Sequence, residues 1–383
     1  MEPEGQPLEA QPAPQEQLLD IQQRPEAPDE KPYRGLRWIF FGSQGLRAGW
    51  SVATFILLLL LFAFAIGTLF SRAHLIGGRE AFTARSGFFS ELVGFLGMLG
   101  AAAIVALIER RRIVDYNLTG PHRVSHFISG LVAGFAALSA LIGALAWGGW
   151  LHFGPVALSG HQIFTYAGLW GCVFLLVGCV EEGTMRCFLL YTLTRGINFW
   201  WALGLIAAMC IDLVVRGKGQ GIWGVYLIAA LGVVPCLLLH LKKSPVSGFW
   251  QAAWVTSTFF GFGHTGNNGE NWIGIFAAAF VGFVFCVSVK VTGSAWWAIG
   301  CHAAWDWAET YFYGAADSGN VATGHYLTTS PVGNAMWSGG ADGPEGSLLV
   351  LPIVLLLLAV LLLVYGRRRF ATLAAPVTAQ VAD

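Results

Sequence analysis

The chain has 383 residues, 55% of them hydrophobic and only 11% charged, with sixteen tryptophans, and its mean hydropathy is +0.61. That balance excludes an ordinary soluble domain and describes a polytopic membrane protein. A formal net charge of zero with a pI near 7.1 leaves no basic field for nucleic acid and no acidic tail for a basic partner.

The opening stretch, MEPEGQPLEAQPAPQEQLLDIQQRPEAPDEKP, is rich in Pro, Glu and Gln and too poor in large apolar groups to form a core. A disordered tail is expected over 1–33. It lacks the basic start, short apolar core and small-residue cleavage site of a secretory signal, so the first apolar segment is expected to be an uncleaved span. From there, about ten apolar stretches near the length that crosses a hydrocarbon core recur, roughly 48–70, 88–108, 126–149, 166–194, 199–215, 222–241, 248–264, 272–290, 294–313 and 347–366. The expected fold is all-α, a polytopic transmembrane helical bundle. Its divisions are N-terminal transmembrane helices over 34–165, a chemistry-bearing core over 166–313, an extracytoplasmic loop over 314–346, a last transmembrane helix over 347–370 and a tail over 371–383. The hardest part to divide is 199–264, with Pro235 and many glycines.

Lys and Arg in the short loops set the orientation. ERRRIVDYNLTGPHR (109–123), Arg195, HLKK (240–243), Lys290 and GRRR (366–369) fall on one side of a ten-span arrangement, whereas 150–165, 265–271 and 314–346 contain neither residue. The positive-inside rule then places both termini in the cytoplasm of a multi-pass inner-membrane protein. Two loops dissent, 71–87 with Arg72, Arg79 and Arg85, and 216–221 with Arg216 and Lys218. The seven cysteines all lie in apolar runs without CxxC spacing and read as packing residues.

Three polar groups interrupt the apolar spans. In GCVEEGTMRCFLL (178–190), Glu182 and Arg186 stand at i,i+4 on one helix face, acid first, which leaves Glu181 on an adjoining face without a partner in its own helix. A charge at the centre of a membrane helix costs roughly 2.5–3.5 kcal/mol on insertion scales, so such residues are functional candidates by default. In FFGFGHTGNNGENW (259–272), Phe260 and His264 are again i,i+4; the literal GxGxxG at Gly261, Gly263 and Gly266 has no βαβ setting and carries no meaning. In GCHAAWDWAETYFYG (300–314), His302 and Asp306 are i,i+4 with Glu309 three further on, a polar stripe on an otherwise apolar span. Each group also has a purely structural reading: a buried ion pair, a hydrogen-bonded histidine, an aspartate fixing a histidine. Asp212 with Arg216 reads as an interfacial pair, and Gly130 with Gly134 as a close helix contact. Carboxylates and histidines from three spans can meet only in a polar pocket, and that inventory suits the activation of water.

EEGTMR, FGFGH (260–264) and HAAWD (302–306) resemble, in order, the EExxxR, FxxxH and HxxxN/D motifs of the CPBP intramembrane proteases, also called the CAAX prenyl protease 2 or Abi family. The resemblance covers about 166–313. It implies a membrane endopeptidase that hydrolyses a peptide bond of a membrane-associated peptide or protein. Glu181 is implied as the catalytic glutamate, His264 as its partner in activating water, and His302 with Asp306 as the oxyanion-holding pair, supported by Glu182, Arg186 and Phe260. Asp306 stands where the resemblance implies Asn in eukaryotic prenyl-protein proteases, and bacterial members tolerate Asp there. WSGGADGPEGSLL (337–349) is similar to a segment of some bacterial members and has no role that the sequence explains. No cofactor is expected. The alternatives are a zinc peptidase using the same Glu and His residues, although HExxH is absent, and a non-catalytic transporter or scaffold, although no internal repeat relates the halves.

Overall fold

The computed structural model describes residues 37–42, 45–76, 82–217, 221–243 and 246–366. The expectations for the tails at 1–33 and 371–383, and for Arg79, Lys218 and 367–369, fall outside the described residues. Ahead of Ala48, a unit of its own contains a helical turn, Arg37–Phe40, and a two-stranded hairpin of Phe41–Gly42 with Gly45–Leu46.

From Ala48 onward, longer helices follow the expected apolar runs closely: α1 Ala48–Arg72, α2 Ala84–Ile108, α3 Arg123–Trp147, α4 His161–Glu182, α5 Phe199–Arg216, α6 Ile222–Leu241, α7 Ser247–His264, α8 Trp272–Thr292, α9 Trp296–Asp306 and α10 Val350–Leu361. Three run on through wide π-helical turns, α4 through Gly183–Leu189 and then to Thr194, α9 through Trp307–Phe312 and α10 through Leu362–Gly366. Seven helices, α1 to α6 and α8, are long and apolar enough to cross a membrane. The ten expected segments are therefore all helical, but only those seven have the length and composition of a span. Of the rest, α7 and α9 carry His264 and His302 with Asp306, and α10 is shorter.

Local chemistry explains the boundaries. Thr83 and Ser86 form a reciprocal cap at the start of α2, and Asn271 Oδ1 accepts the free N–H groups of Ile273 and Gly274 at the start of α8. Helix α8 ends at Gly293, whose φ of 84° suits a residue without Cβ. Pro235 lies inside α6; it removes one ladder bond, which neighbouring helices make tolerable in an apolar setting.

Outward faces are greasy. Leu60, Phe64, Leu107, Val132 and Trp223 are exposed, as expected where lipid replaces a protein partner. By contrast α8 is enclosed, packing on α7, α9 and α10. Helix α9 lies between α3 and α4. The α3 contact is backbone on backbone: a Cβ at Gly130 would overlap the Trp297 carbonyl, and one at Gly134 the Cys301 carbonyl. The glycine pair thus seats α9 one residue from His302. Between α9 and α10, the 314–349 connection folds back on the bundle; its Thr329–Pro331 pairs antiparallel with Leu151–Phe153.

Candidate active site

The two adjacent glutamates at the end of α4 have opposite surroundings. Glu182 is wholly buried, and its Oε1 accepts from Arg186 Nη1 at 3.1 Å and from His302 Nδ1 at 2.9 Å. Arg186 is equally buried, lies over the Phe260 ring at 4.6 Å and the Phe285 ring at 5.4 Å, and stacks where Gly282 has no Cβ to meet it. Asn117 donates to the Arg186 carbonyl at 2.7 Å, tying the wide turn to the loop before α3. Glu181, one residue earlier and about 100° around the helix, keeps a side chain 39% exposed, with Oε2 3.7 Å from His302 Nε2.

His302 is oriented from both ends. Because a carboxylate only accepts, Nδ1 carries the proton shared with Glu182, and Nε2 faces Glu181 and, at 3.4 Å, Asp306 Oδ2. The Phe260 and Phe285 rings lie 5.9 and 5.8 Å from the imidazole and wall it in. His264 Nδ1 donates to the Phe260 carbonyl at 2.8 Å, which leaves Nε2 as the ring's accepting atom.

Glu181, Phe260, His264, His302 and Asp306 line one cavity of about 190 Å³. The structure thus brings together the four proposed catalytic positions on α4, α7 and α9, with Glu182, Arg186 and Phe260 around them. Glu309 departs from the stripe expected on α9. The helix widens to an i→i+5 turn after Asp306, turning Glu309 off the His302–Asp306 face; it is fully buried and does not line the cavity.

Several acidic residues that the motifs did not signal line the same cavity. Glu91 on α2 is one; a lone carboxylate in an apolar run was the available signal. Glu270, Asp317, Asp342 and Glu345 come from the segments flanking α8 and α9. Burial, then the neighbouring Asp342 and Glu345 charges, pushes the Glu270 carboxyl up to about 9. Burial likewise lifts Asp342 to about 6 and Glu345 to about 8, and raises Asp317. The side chains of 337–349 therefore supply one wall of the cavity, the structural role that the sequence left open.

A helical membrane protein with carboxylates and imidazoles converging on a cavity between its helices has the makings of a hydrolase. Residues 236–308 match the family described as type II CAAX prenyl endopeptidase Rce1-like. The match bears out the resemblance carried by the motifs and supports an intramembrane protease with a peptide or protein substrate. It takes in Phe260, His264, His302 and Asp306, and leaves Glu181, Glu182 and Arg186 outside its bounds. Comparison with curated proteins and with solved structures gives no match.

Proposed function

We propose that this protein is an endopeptidase that hydrolyses a peptide bond of a membrane-associated peptide or protein with water activated by Glu181 and His264, without a catalytic metal. The observation that supports this most is the division of labour between the paired glutamates: Glu182 is pinned by Arg186 and His302, whereas Glu181 is held by no hydrogen bond of its own and opens onto the cavity.

In this reading the water oxygen attacks the scissile carbonyl carbon as its proton passes to the Glu181 carboxylate, with His264 Nε2 accepting the second water hydrogen as a hydrogen bond. The carbonyl π bond becomes the oxyanion. His302, protonated on both nitrogens, donates Nε2–H to it, while Glu182 holds the ring through Nδ1. Asp306 Oδ2, 3.4 Å from Nε2 before substrate enters, cedes that hydrogen to the oxyanion, and its charge favours the doubly protonated ring. Glu181 then gives its proton to the leaving nitrogen as the C–N bond breaks, and the base is restored. A zinc peptidase built on Glu181, His264 and His302 is the alternative reading, and the metal content of the active protein separates the two.

We also place the protein in the inner membrane with 314–346 outside; cysteines introduced at 318–340 then react with an impermeant reagent only from the outer face, and the reverse pattern refutes the orientation. The functional test is cleavage of a peptide library by purified protein in liposomes, beside Glu181→Ala. Activity retained by folded Glu181→Ala, or activity that follows one tightly bound zinc per chain, refutes the mechanism.

A further inference from the structure

At the cavity wall, Asp317 and Glu345 meet Glu309, which does not line the cavity; each of the three offers one carboxylate oxygen, and these atoms lie within 4.8 Å of one another. Glu309 is fully buried, and neither of its oxygens has a hydrogen-bond partner among the described residues. An ionised carboxylate in that state is costly, and a neutral one leaves a buried O–H unmet. Basic side chains do not come from the surrounding segments, since 265–271 and 314–346 contain neither Lys nor Arg. The other two carboxylates are held in place from behind: Thr310 Oγ1 donates to Asp317 Oδ2 at 2.8 Å, and Trp305 Nε1 donates to Glu345 Oε1 at 2.7 Å. Hydrogen bonds that fix the orientation of ligating carboxylates are a regular companion of metal sites.

We propose that Glu309, Asp317 and Glu345 bind one divalent cation of the calcium class, which fastens the 314–349 connection to the wide turn at the end of α9. The donor set is all oxygen, with no sulfur or imidazole, and selects a hard cation over zinc. Bonds of about 2.3–2.6 Å in a shell of irregular shape let one calcium ion bridge three carboxylates from separate segments, whereas magnesium demands a near-ideal octahedron and gives up its waters reluctantly. Three carboxylates against a double positive charge leave backbone carbonyls and water to complete the shell; the Ala316 carbonyl is adjacent, since a Cβ on Gly343 would meet both it and Glu309 Oε1. Asp317 and Glu345 line the cavity, so an ion reaches the trio from there, whereas Glu309 is fully buried and off the lining.

The test uses full-length protein in detergent, stripped of metal and titrated with Tb³⁺ while tryptophan is excited, since Trp305 touches Glu345. We expect one sensitised Tb³⁺ per chain, displaced by Ca²⁺ at lower concentration than by Mg²⁺, and a Tm that rises with added Ca²⁺. Glu309→Gln, which removes a buried charge, abolishes both responses. Thr310→Val removes only the bond that orients Asp317, and weakens binding by about 10- to 100-fold. If Glu309→Gln does not fold, Thr310→Val alone decides. A Tm indifferent to Ca²⁺, as for carboxyls that share protons, overturns the proposal, as does wild-type binding in either folded variant. None of these readouts needs hydrolysis, so their failure leaves the proposed activity standing, and the reverse.

Discussion

Replacing Glu182 with Gln keeps the size of the side chain and removes the charge that Arg186 faces. Both groups are fully buried, and removing one member of a buried pair costs about 3–5 kcal/mol because the other is left charged without compensation. Gln can still accept from Arg186 and His302 through the oxygen that replaces Oε1. Its amide takes the place of Oε2, which has no hydrogen-bond partner among the described residues, so the swap breaks no further bond of the native protein. The loss therefore falls near the lower bound, about 3 kcal/mol, or more than a hundredfold in the folding constant. Glu181→Gln alters a side chain 39% exposed to the cavity, and its stability should stay within about 0.5 kcal/mol of wild type. Its turnover should fall by about 100- to 10,000-fold through loss of the base. Unfolding of the purified variants in one detergent, with peptide cleavage measured beside it, separates the two glutamates. A folded Glu181→Gln that turns over normally, or a Glu182→Gln as stable as wild type, refutes the assignment.

His302→Ala should lower turnover by about 100- to 1,000-fold with little change in substrate affinity, read from kcat and KM; a change confined to KM contradicts an oxyanion role. Gly134→Leu forces a side chain into the Cys301 carbonyl and should cost at least about 1–3 kcal/mol in thermal unfolding, while a neutral result contradicts the backbone contact between α3 and α9. Glu270 and Asp342, with folded values near 9 and 6, hold protons in the native state above the ordinary carboxylate range of about 4. At these two sites native protein thus binds more protons than unfolded protein, so the pair's contribution to stability is full below about pH 4 and is lost as pH rises toward 9. Unfolding across that range in excess chelator should show this decline, flattened in Glu270→Gln, and an unchanged slope in the variant counts against the pair.

Much of the helical layout was legible because an apolar environment leaves the backbone few alternatives: a run of about 20 apolar residues has to satisfy its own N–H and C=O groups. The pairing of Glu182 with Arg186 was legible for a similar reason, since i,i+4 geometry is local. The bond from His302 Nδ1 to Glu182 was not, because it joins residues 120 apart and depends on how α9 seats against α3. The wide turns were equally hidden. One extra residue in the hydrogen-bond ladder changes no composition, yet it removed Glu309 from the stripe drawn through His302 and Asp306. Glu270, Asp317, Asp342 and Glu345 lie in polar connections where acids are ordinary, and only the folding back of 314–349 makes them neighbours.

Those wide turns also bear on how the chain could be shortened. A helix that closes i→i+5 at one place holds one residue more than the α-ladder on either side requires. Deleting a single residue within Gly183–Leu189 therefore lets the ladder close regularly, with α4 before it and Leu190–Thr194 after it still facing their present neighbours. What such a deletion shifts is the placement of Arg186 relative to Glu182. The extra residue is a spacer whose purpose is to place that buried pair.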